Sequence, residues 1–172
     1  MIINFKEFLL ERVDSGGVVY HGTNNIHHFP SPSSNFYGGF FFSSNIREAQ
    51  DYGKFLYECV LKNNIILFRS TSFKDCEILL DKFGDLKDEY PYSETRIIST
   101  PEQLANHSDN WEVIEKTKGI LEWLEENYDG VIVTEGGVEN VLLFDPVQDK
   151  LKSFKLYNPS STPTFLSPYF NK

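Results

Sequence analysis

The chain has 172 residues, and its 40% hydrophobic and 24% charged residues fit a single globular domain, which excludes collagen-like and wholly disordered proteins. Its 16 basic and 25 acidic residues give a net charge of −9, which argues against nucleic-acid binding through phosphate neutralisation. No uncharged run approaches the ~20 apolar residues of a membrane-spanning helix, so we expect no membrane partner. Cys59 and Cys76 match neither a disulfide framework nor a CxxC metal pair, and we expect no metal.

The N-terminal residues carry an apolar helical stripe that includes Ile2, Phe5 and Phe8. They end in Leu9-Leu10-Glu11, and the segment resembles the capsid-targeting N-termini of proteins that tailed phages package and cleave after a Leu-x-Glu triplet. The resemblance implies a cleavable segment over residues 1–11, packaging in the capsid and injection into the host bacterial cytoplasm. An amphipathic helix that packs on its own domain is the alternative.

The next part of the chain predicts two strands separated by a loop. Residues 18–20 are β-branched and aromatic, and they predict a strand that ends in His21-Gly22-Thr23. Residues 24–38 are rich in Asn, Ser and Pro and predict a loop. Residues 40–43 then predict a second short strand.

A helix and two further strands are predicted after this loop. Asn45 is a suitable N-cap, and Glu48 follows at the spacing of a capping box, so we predict a helix over residues 46–52. Residues 55–61 and 64–68 have strand composition. They form either a hairpin or one bent ribbon.

Residues 69–100 show no clear period, and we interpret them as a variable excursion without an assigned role. Thr100 with Pro101 and Gln103 then marks the start of a second helix, because a hydroxyl cap, a proline at the first helical position and a glutamine at the third form a capping box. The apolar face of this predicted helix contains Trp111, Ile114, Leu121 and Leu124.

Two closing strands are predicted at residues 131–133 and 141–144, around a turn at residues 134–137. Strands at both ends and helices between them predict an α+β domain over residues 12–156, followed by an extended tail over residues 157–172.

Four motifs occur in a fixed order along this predicted domain. They are Tyr20-His21-Gly22-Thr23, Gly39-Phe40-Phe41-Phe42-Ser43, Ala49-x-x-Tyr52-Gly53 and Glu139-Asn140-Val141-Leu142-Leu143-Phe144-Asp145-Pro146. In this order they resemble the diphtheria-toxin-like and PARP-like ADP-ribosyltransferases. The resemblance implies split antiparallel sheets around an NAD cleft with a few flanking helices, and NAD as the substrate.

Cleavage of NAD explains why these residue types occur together. Breaking the bond between nicotinamide and ribose develops positive charge on the sugar, which a carboxylate stabilises. Phe41 and Tyr52 are the predicted aromatic walls for the flat nicotinamide ring, and Gly22 allows the ligand to approach the backbone. By resemblance, His21 binds the ribose of the adenosine half, and Thr23 lies beside it.

Two adjacent residues are candidates for the position of the catalytic acid. Relatives carry glutamate four residues before the phenylalanine that corresponds to Phe144, and this position holds Asn140. Glu139 is one residue earlier, and since side chains alternate along a strand, it reaches the pocket only through a bulge. We predict Glu139 as the catalytic residue. Asn140 is the second possibility for this position, and Glu135 is the fallback for the acid.

The resulting hypothesis is a mono-ADP-ribosyltransferase that transfers ADP-ribose from NAD to a host macromolecule, with a protein favoured as acceptor by the acidic balance. Two alternatives remain open. One is an NAD glycohydrolase, and the other is a non-catalytic internal capsid or inhibitor protein on a degenerate transferase fold.

Overall fold

The computed structural model describes residues 16–24, 39–88 and 96–157. The predicted N-terminal segment, nearly all of the loop predicted over residues 24–38 and nearly all of the predicted C-terminal tail lie outside the described residues. The interpretations of these parts remain predictions.

The described residues form nine strands, five α-helices and one short 3-10 helix. The strands are β1 (Val18–Thr23), β2 (Gly39–Ser43), β3 (Phe55–Leu61), β4 (Leu67–Arg69), β5 (Leu86–Asp88), β6 (Arg96–Ile98), β7 (Gly130–Glu135), β8 (Val138–Phe144) and β9 (Leu151–Leu156). The helices are α1 (Ile46–Asp51), α2 (Phe73–Phe83), α3 (Pro101–Ala105), α4 (Asn110–Lys116) and α5 (Ile120–Asn127), with the 3-10 helix at Val147–Lys150. This content confirms the predicted α+β class.

Seven strands form one sheet in the order β4-β7-β8-β2-β1-β3-β9, and β5 pairs with β6 in a separate ribbon. Only the β4–β7 pair among these described strands is parallel. The predicted split of the sheet corresponds to a narrow seam between β1 and β2, where the matched pair is Tyr20 and Ser43. By contrast, six residue pairs join β1 to β3, and five join β2 to β8.

A buried core packs on each face of this sheet. Because side chains alternate along a strand, Leu142 and Phe144 of β8 enter the core that is formed with α2 to α5. Val141 and Leu143 enter the opposite core, together with residues of β1, β2 and β3. β8 is therefore buried on both faces and fixes the position of the residues at its start.

The local start signals in the sequence are confirmed at two helices. At α1, the predicted N-cap forms, with the side chain of Asn45 accepting a hydrogen bond from the Arg47 backbone N–H at 2.9 Å and not from the N–H of Glu48 as in a capping box. At α3, Thr100 and Gln103 form the predicted reciprocal capping box. No helix in residues 16–24, 39–88 and 96–157 is long and apolar enough to cross a membrane.

Three predicted elements differ in the structure. The strand predicted over residues 64–68 begins at Leu67, and it pairs in parallel with β7 instead of forming a hairpin with β3. The excursion over residues 69–100 contains α2, β5 and β6. The second predicted helix is divided into α3, α4 and α5, and α5 begins after Gly119, whose φ of 87° does not continue a helix.

Candidate active site

A pocket of about 300 Å³ lies at the seam between β1 and β2. Of the six residues predicted to contact NAD, five line this pocket: His21, Gly22, Phe41, Tyr52 and Asn140. They come from β1, β2, the residue that follows α1, and β8, so the fold brings together residues that are separated by more than 100 positions in the chain. The sixth, Thr23, is outside the pocket lining, and its backbone lies against Gly53 of the loop after α1.

The walls of the pocket are aromatic. The rings of Phe41 and Trp111 meet edge to face, with centroids 4.8 Å apart. Tyr52 lines the same pocket, and 62% of this residue is exposed to solvent. A pocket of this size with aromatic walls suits a flat ring that stacks or packs edge-on.

The side chain of His21 in β1 forms a contact with β2 at the seam between these two strands. Its Nδ1 lies 2.8 Å from the carbonyl oxygen of Phe41, so Nδ1–H donates and the neutral ring presents Nε2 as an acceptor. The ring packs between Phe40 and Phe42, with centroids 5.4 and 5.5 Å away. Burial lowers the pKa of His21, and the hydrogen bond to Phe41 opposes this shift.

This pKa shift predicts a pH-dependent contribution of His21 to stability. Since the ordinary pKa is about 6.5, the unfolded chain takes up a proton at His21 before the folded chain does, and stability is lost as the pH falls below that value. We expect the urea midpoint of the wild type to fall more than that of His21→Gln between about pH 7.5 and about pH 5.5. Equal falls in the two proteins would contradict the half-buried neutral histidine.

Gly22 lines the pocket and also allows close packing of α1. A Cβ atom at this position would lie 1.8 Å from the carbonyl oxygen of Ala49 and 3.2 Å from Cβ of Tyr52. The absence of a side chain therefore allows α1 to approach β1 closely. This contact places Tyr52 at the pocket.

The placement of Glu139 is a correction to the sequence analysis. β8 pairs with its neighbours in continuous register, with Ser43 opposite Asn140, so the bulge that would turn Glu139 into the pocket is not formed in this strand. Glu139 is 7% exposed, and its Oε1 accepts hydrogen bonds from Arg69 Nη1 at 3.1 Å and Thr71 Oγ1 at 3.3 Å. The pocket side of β8 therefore holds Asn140, and the Glu139 carboxylate is paired on the other face.

Asn140 presents an unsatisfied acceptor at the pocket. It is 5% exposed, and its Nδ2 donates to Glu135 Oε2 at 3.2 Å. Its Oδ1 is buried and has no hydrogen-bond partner among the described residues. An unpaired buried oxygen costs about 1–3 kcal/mol, so the pocket favours a ligand that offers an N–H or O–H at this point.

The hairpin between β7 and β8, which carries Glu135, is held by residues 108–110. The N–H of Gly136 donates to Asp109 Oδ1 at 2.6 Å, and the N–H of Gly137 donates to the Ser108 carbonyl at 3.1 Å. Asn110 Oδ1 accepts from the Thr134 N–H at 2.7 Å. It also accepts from the buried Ser70 hydroxyl at 2.8 Å, so the excursion supports this edge of the pocket.

Three acidic residues lie near Tyr52. Partial burial of its hydroxyl raises the pKa of Tyr52, and the charges of Glu135, Glu48 and Asp51 raise it further. Burial also raises the pKa of Glu48, followed by the charges of Glu135 and Asp51. The region beside Tyr52 is therefore negative.

One residue of the pocket lining, Trp111, carries no sequence signal for that role, and another, Glu135, was predicted only as the fallback for the acid. Trp111 was predicted only as part of an apolar helix face, and its position beside Phe41 depends on the break that separates α3 from α4. Glu135 lines the pocket because of the hairpin contacts described above. Within the described ranges, no group of three metal-ligating side chains comes together.

Comparison with known proteins identifies the class to which this fold and pocket belong. The profile of the family described as "ADP-Ribosyltransferase in polyvalent proteins" matches residues 16–159, and the chain belongs to this family. No curated protein matches the chain at a significant level. One similar solved structure is described as "Crystal structure of an anti-CRISPR protein"; it shares 14% identity over 74% of this chain and 89% of that chain, with a TM-score of 0.38.

Proposed function

We propose that the protein is a mono-ADP-ribosyltransferase that takes ADP-ribose from NAD and transfers it to a protein of a bacterial host. Membership of the ADP-ribosyltransferase family supports the reaction class. The net charge of −9 favours a protein acceptor over a nucleic acid.

The observation that carries the proposal is the pocket at the β1–β2 seam. It combines aromatic walls from Phe41, Tyr52 and Trp111 with the buried, unpartnered Oδ1 of Asn140. Nicotinamide is flat and carries a carboxamide with N–H donors, and the adjacent ribose carries hydroxyl donors. Both the ring and a donor group of NAD are therefore suited to this lining.

The reaction requires the protein to bind NAD and to stabilise the charge that develops on the ribose. The bond between the nicotinamide nitrogen and the ribose carbon breaks, and the electron pair leaves with nicotinamide. A nucleophile of the acceptor forms the new bond to the same ribose carbon and releases its proton. The family resemblance implies that His21 binds the ribose of the adenosine half, and with Nδ1 donating to Phe41, Nε2 is the atom that accepts from a hydroxyl there.

The proposal is tested by incubating the protein with NAD labelled in the ADP-ribose portion and a bacterial lysate. We expect release of nicotinamide and label on protein. Phe41→Ala is expected to weaken NAD binding by about tenfold or more, because the nicotinamide loses one aromatic wall. Binding is measured by quenching of the tryptophan fluorescence, since Trp111 lies in the pocket. Nicotinamide release without labelled protein would instead identify an NAD glycohydrolase.

One observation favours a second candidate, a protein that binds NAD without cleaving it. Asn140, an uncharged residue, occupies the pocket side of β8, and asparagine cannot balance the charge that develops on ribose. NAD binding with no release of nicotinamide in the presence of lysate would support this candidate.

We also propose that the protein is delivered from a phage capsid after cleavage behind Glu11. The support is the Leu9-Leu10-Glu11 triplet of the N-terminal segment. Sequencing the N-terminus of the protein from purified particles tests this proposal, and an intact Met1 there would contradict it.

A further inference from the structure

We propose that Glu135, on the hairpin between β7 and β8, is the carboxylate that stabilises the ribose during cleavage of NAD. This inference rests on the proposed function and adds the identity of its acid. It moves that role from β8 to the last residue of β7, the strand that precedes it in the hairpin.

The location of Glu135 distinguishes it from the neighbouring acids. Glu135 is the acidic residue among the described residues that line the pocket, whereas Glu139 is turned to the other face and paired with Arg69. Glu48 and Asp51 influence the charge of the region, but neither lines the pocket. A negative charge stabilises a developing cation best when it is close and oriented in advance.

A hydrogen bond between Asn140 and Glu135 orients the carboxylate. The 3.2 Å bond from Asn140 Nδ2 holds Glu135 Oε2, while the buried Asn140 Oδ1 has no hydrogen-bond partner among the described residues. Asparagine at position 140 therefore acts as a positioning residue that orients a carboxylate at the end of the neighbouring strand β7. The pair offers both features that cleavage requires, a negative charge and an acceptor for a ribose hydroxyl.

The backbone is fixed on both sides of Glu135, at the end of β7. Glu135 is exposed, and an exposed side chain at a free strand end would sample many positions. Here the N–H groups of Thr134 and Gly136 donate hydrogen bonds to the side chains of Asn110 and Asp109. These contacts reduce the entropy lost when Glu135 meets a substrate.

In the proposed step, the C–N bond between ribose and nicotinamide breaks, and its electron pair departs with nicotinamide. Positive charge accumulates on the ribose carbon and ring oxygen, beside the Glu135 carboxylate. The carboxylate forms no covalent bond and takes up no proton in this step. The acceptor nucleophile then bonds to the ribose carbon, and its proton passes to solvent.

The test compares Glu135→Gln with Glu48→Gln in assays of NAD binding and nicotinamide release. Glutamine keeps the shape and the oxygen that accepts from Asn140, so it removes the charge alone. We expect Glu135→Gln to bind NAD within about threefold of the wild type but to release nicotinamide about 100-fold more slowly. Glu48→Gln removes a charge from the same region and is expected to release nicotinamide within about threefold of the wild-type rate. Asn140→Ala is expected to lower kcat more than it raises KM, because Glu135 loses its orientation.

The outcomes separate this inference from the proposed function. A wild type that releases nicotinamide together with an equally active Glu135→Gln would overturn the inference and leave the function intact. Equal losses in Glu135→Gln and Glu48→Gln, or a loss found in Glu139→Gln with Glu135→Gln active, would also overturn it. A wild type that releases no nicotinamide refutes the proposed function and the assignment of its acid together.

Discussion

Gly22→Ala is expected to abolish NAD binding and to destabilise the protein by about 3 kcal/mol or more. The new Cβ would lie 1.8 Å from the Ala49 carbonyl oxygen, and a backbone atom within α1 cannot rotate away as a side chain can. The helix must move off β1, and Tyr52 moves with it out of the pocket. Denaturant unfolding measures the loss of stability, and quenching of tryptophan fluorescence by NAD measures the loss of binding.

The matched control for this prediction is Gly84→Ala. Gly84 has a φ of 74°, and a Cβ there would have open space around it. Only backbone strain of about 1–3 kcal/mol is expected, because its ψ of −156° combined with this φ is a conformation that glycine almost alone adopts, and NAD binding is retained. If Gly22→Ala and Gly84→Ala were equally stable and both bound NAD, the close packing of α1 on β1 would be refuted.

Asn110→Ala is expected to destabilise the protein by about 2–4 kcal/mol. Asn110 is fully buried, and its Oδ1 accepts hydrogen bonds from the Ser70 hydroxyl and the Thr134 N–H. Alanine leaves both donors without this acceptor in a dry environment and also creates a small cavity. Thermal and denaturant unfolding of the variant measure the effect.

Ser70→Ala is the control for the Asn110 network. It removes one donor and leaves the bond from Thr134 in place, so we expect a cost of about 1 kcal/mol. The double variant is expected to cost less than the sum of the two single variants, because both remove the same bond between Ser70 and Asn110. Additive effects would show that the two side chains do not interact in solution.

The parts of the fold that were predictable from the sequence are those that local chemistry determines. The bounds predicted for β3 agree with Phe55–Leu61, and the caps at Asn45 and Thr100 form as expected. These features depend on residues within a few positions of each other.

The parts that were not predictable depend on distant contacts. The parallel partner of β4 lies more than 60 residues away, and no local pattern specifies it. The apolar period runs across the breaks between α3, α4 and α5, so periodicity alone predicts one helix. For the same reason, no pattern in the sequence indicates that Trp111 borders the pocket.

The candidate site also contains some features that local sequence predicts and others that depend on distant contacts. His21, Gly22, Phe41 and Tyr52 were predicted from their motifs, and the fold brings them to one pocket, where their roles stay predictions. The choice between Glu139 and Asn140 required the register of β8, which depends on pairing with β2 and β7. One residue of register changes which side chain meets the ligand.

The narrow contact between β1 and β2 has a thermodynamic consequence. With Tyr20 and Ser43 as the matched pair, few main-chain interactions resist separation of the two halves of the sheet. A molecule held between these halves bridges them and binds the folded chain alone, so its occupancy raises the melting temperature to a degree that depends on its affinity. A ligand bound at the seam between β1 and β2 would therefore also hold the two halves of the sheet together.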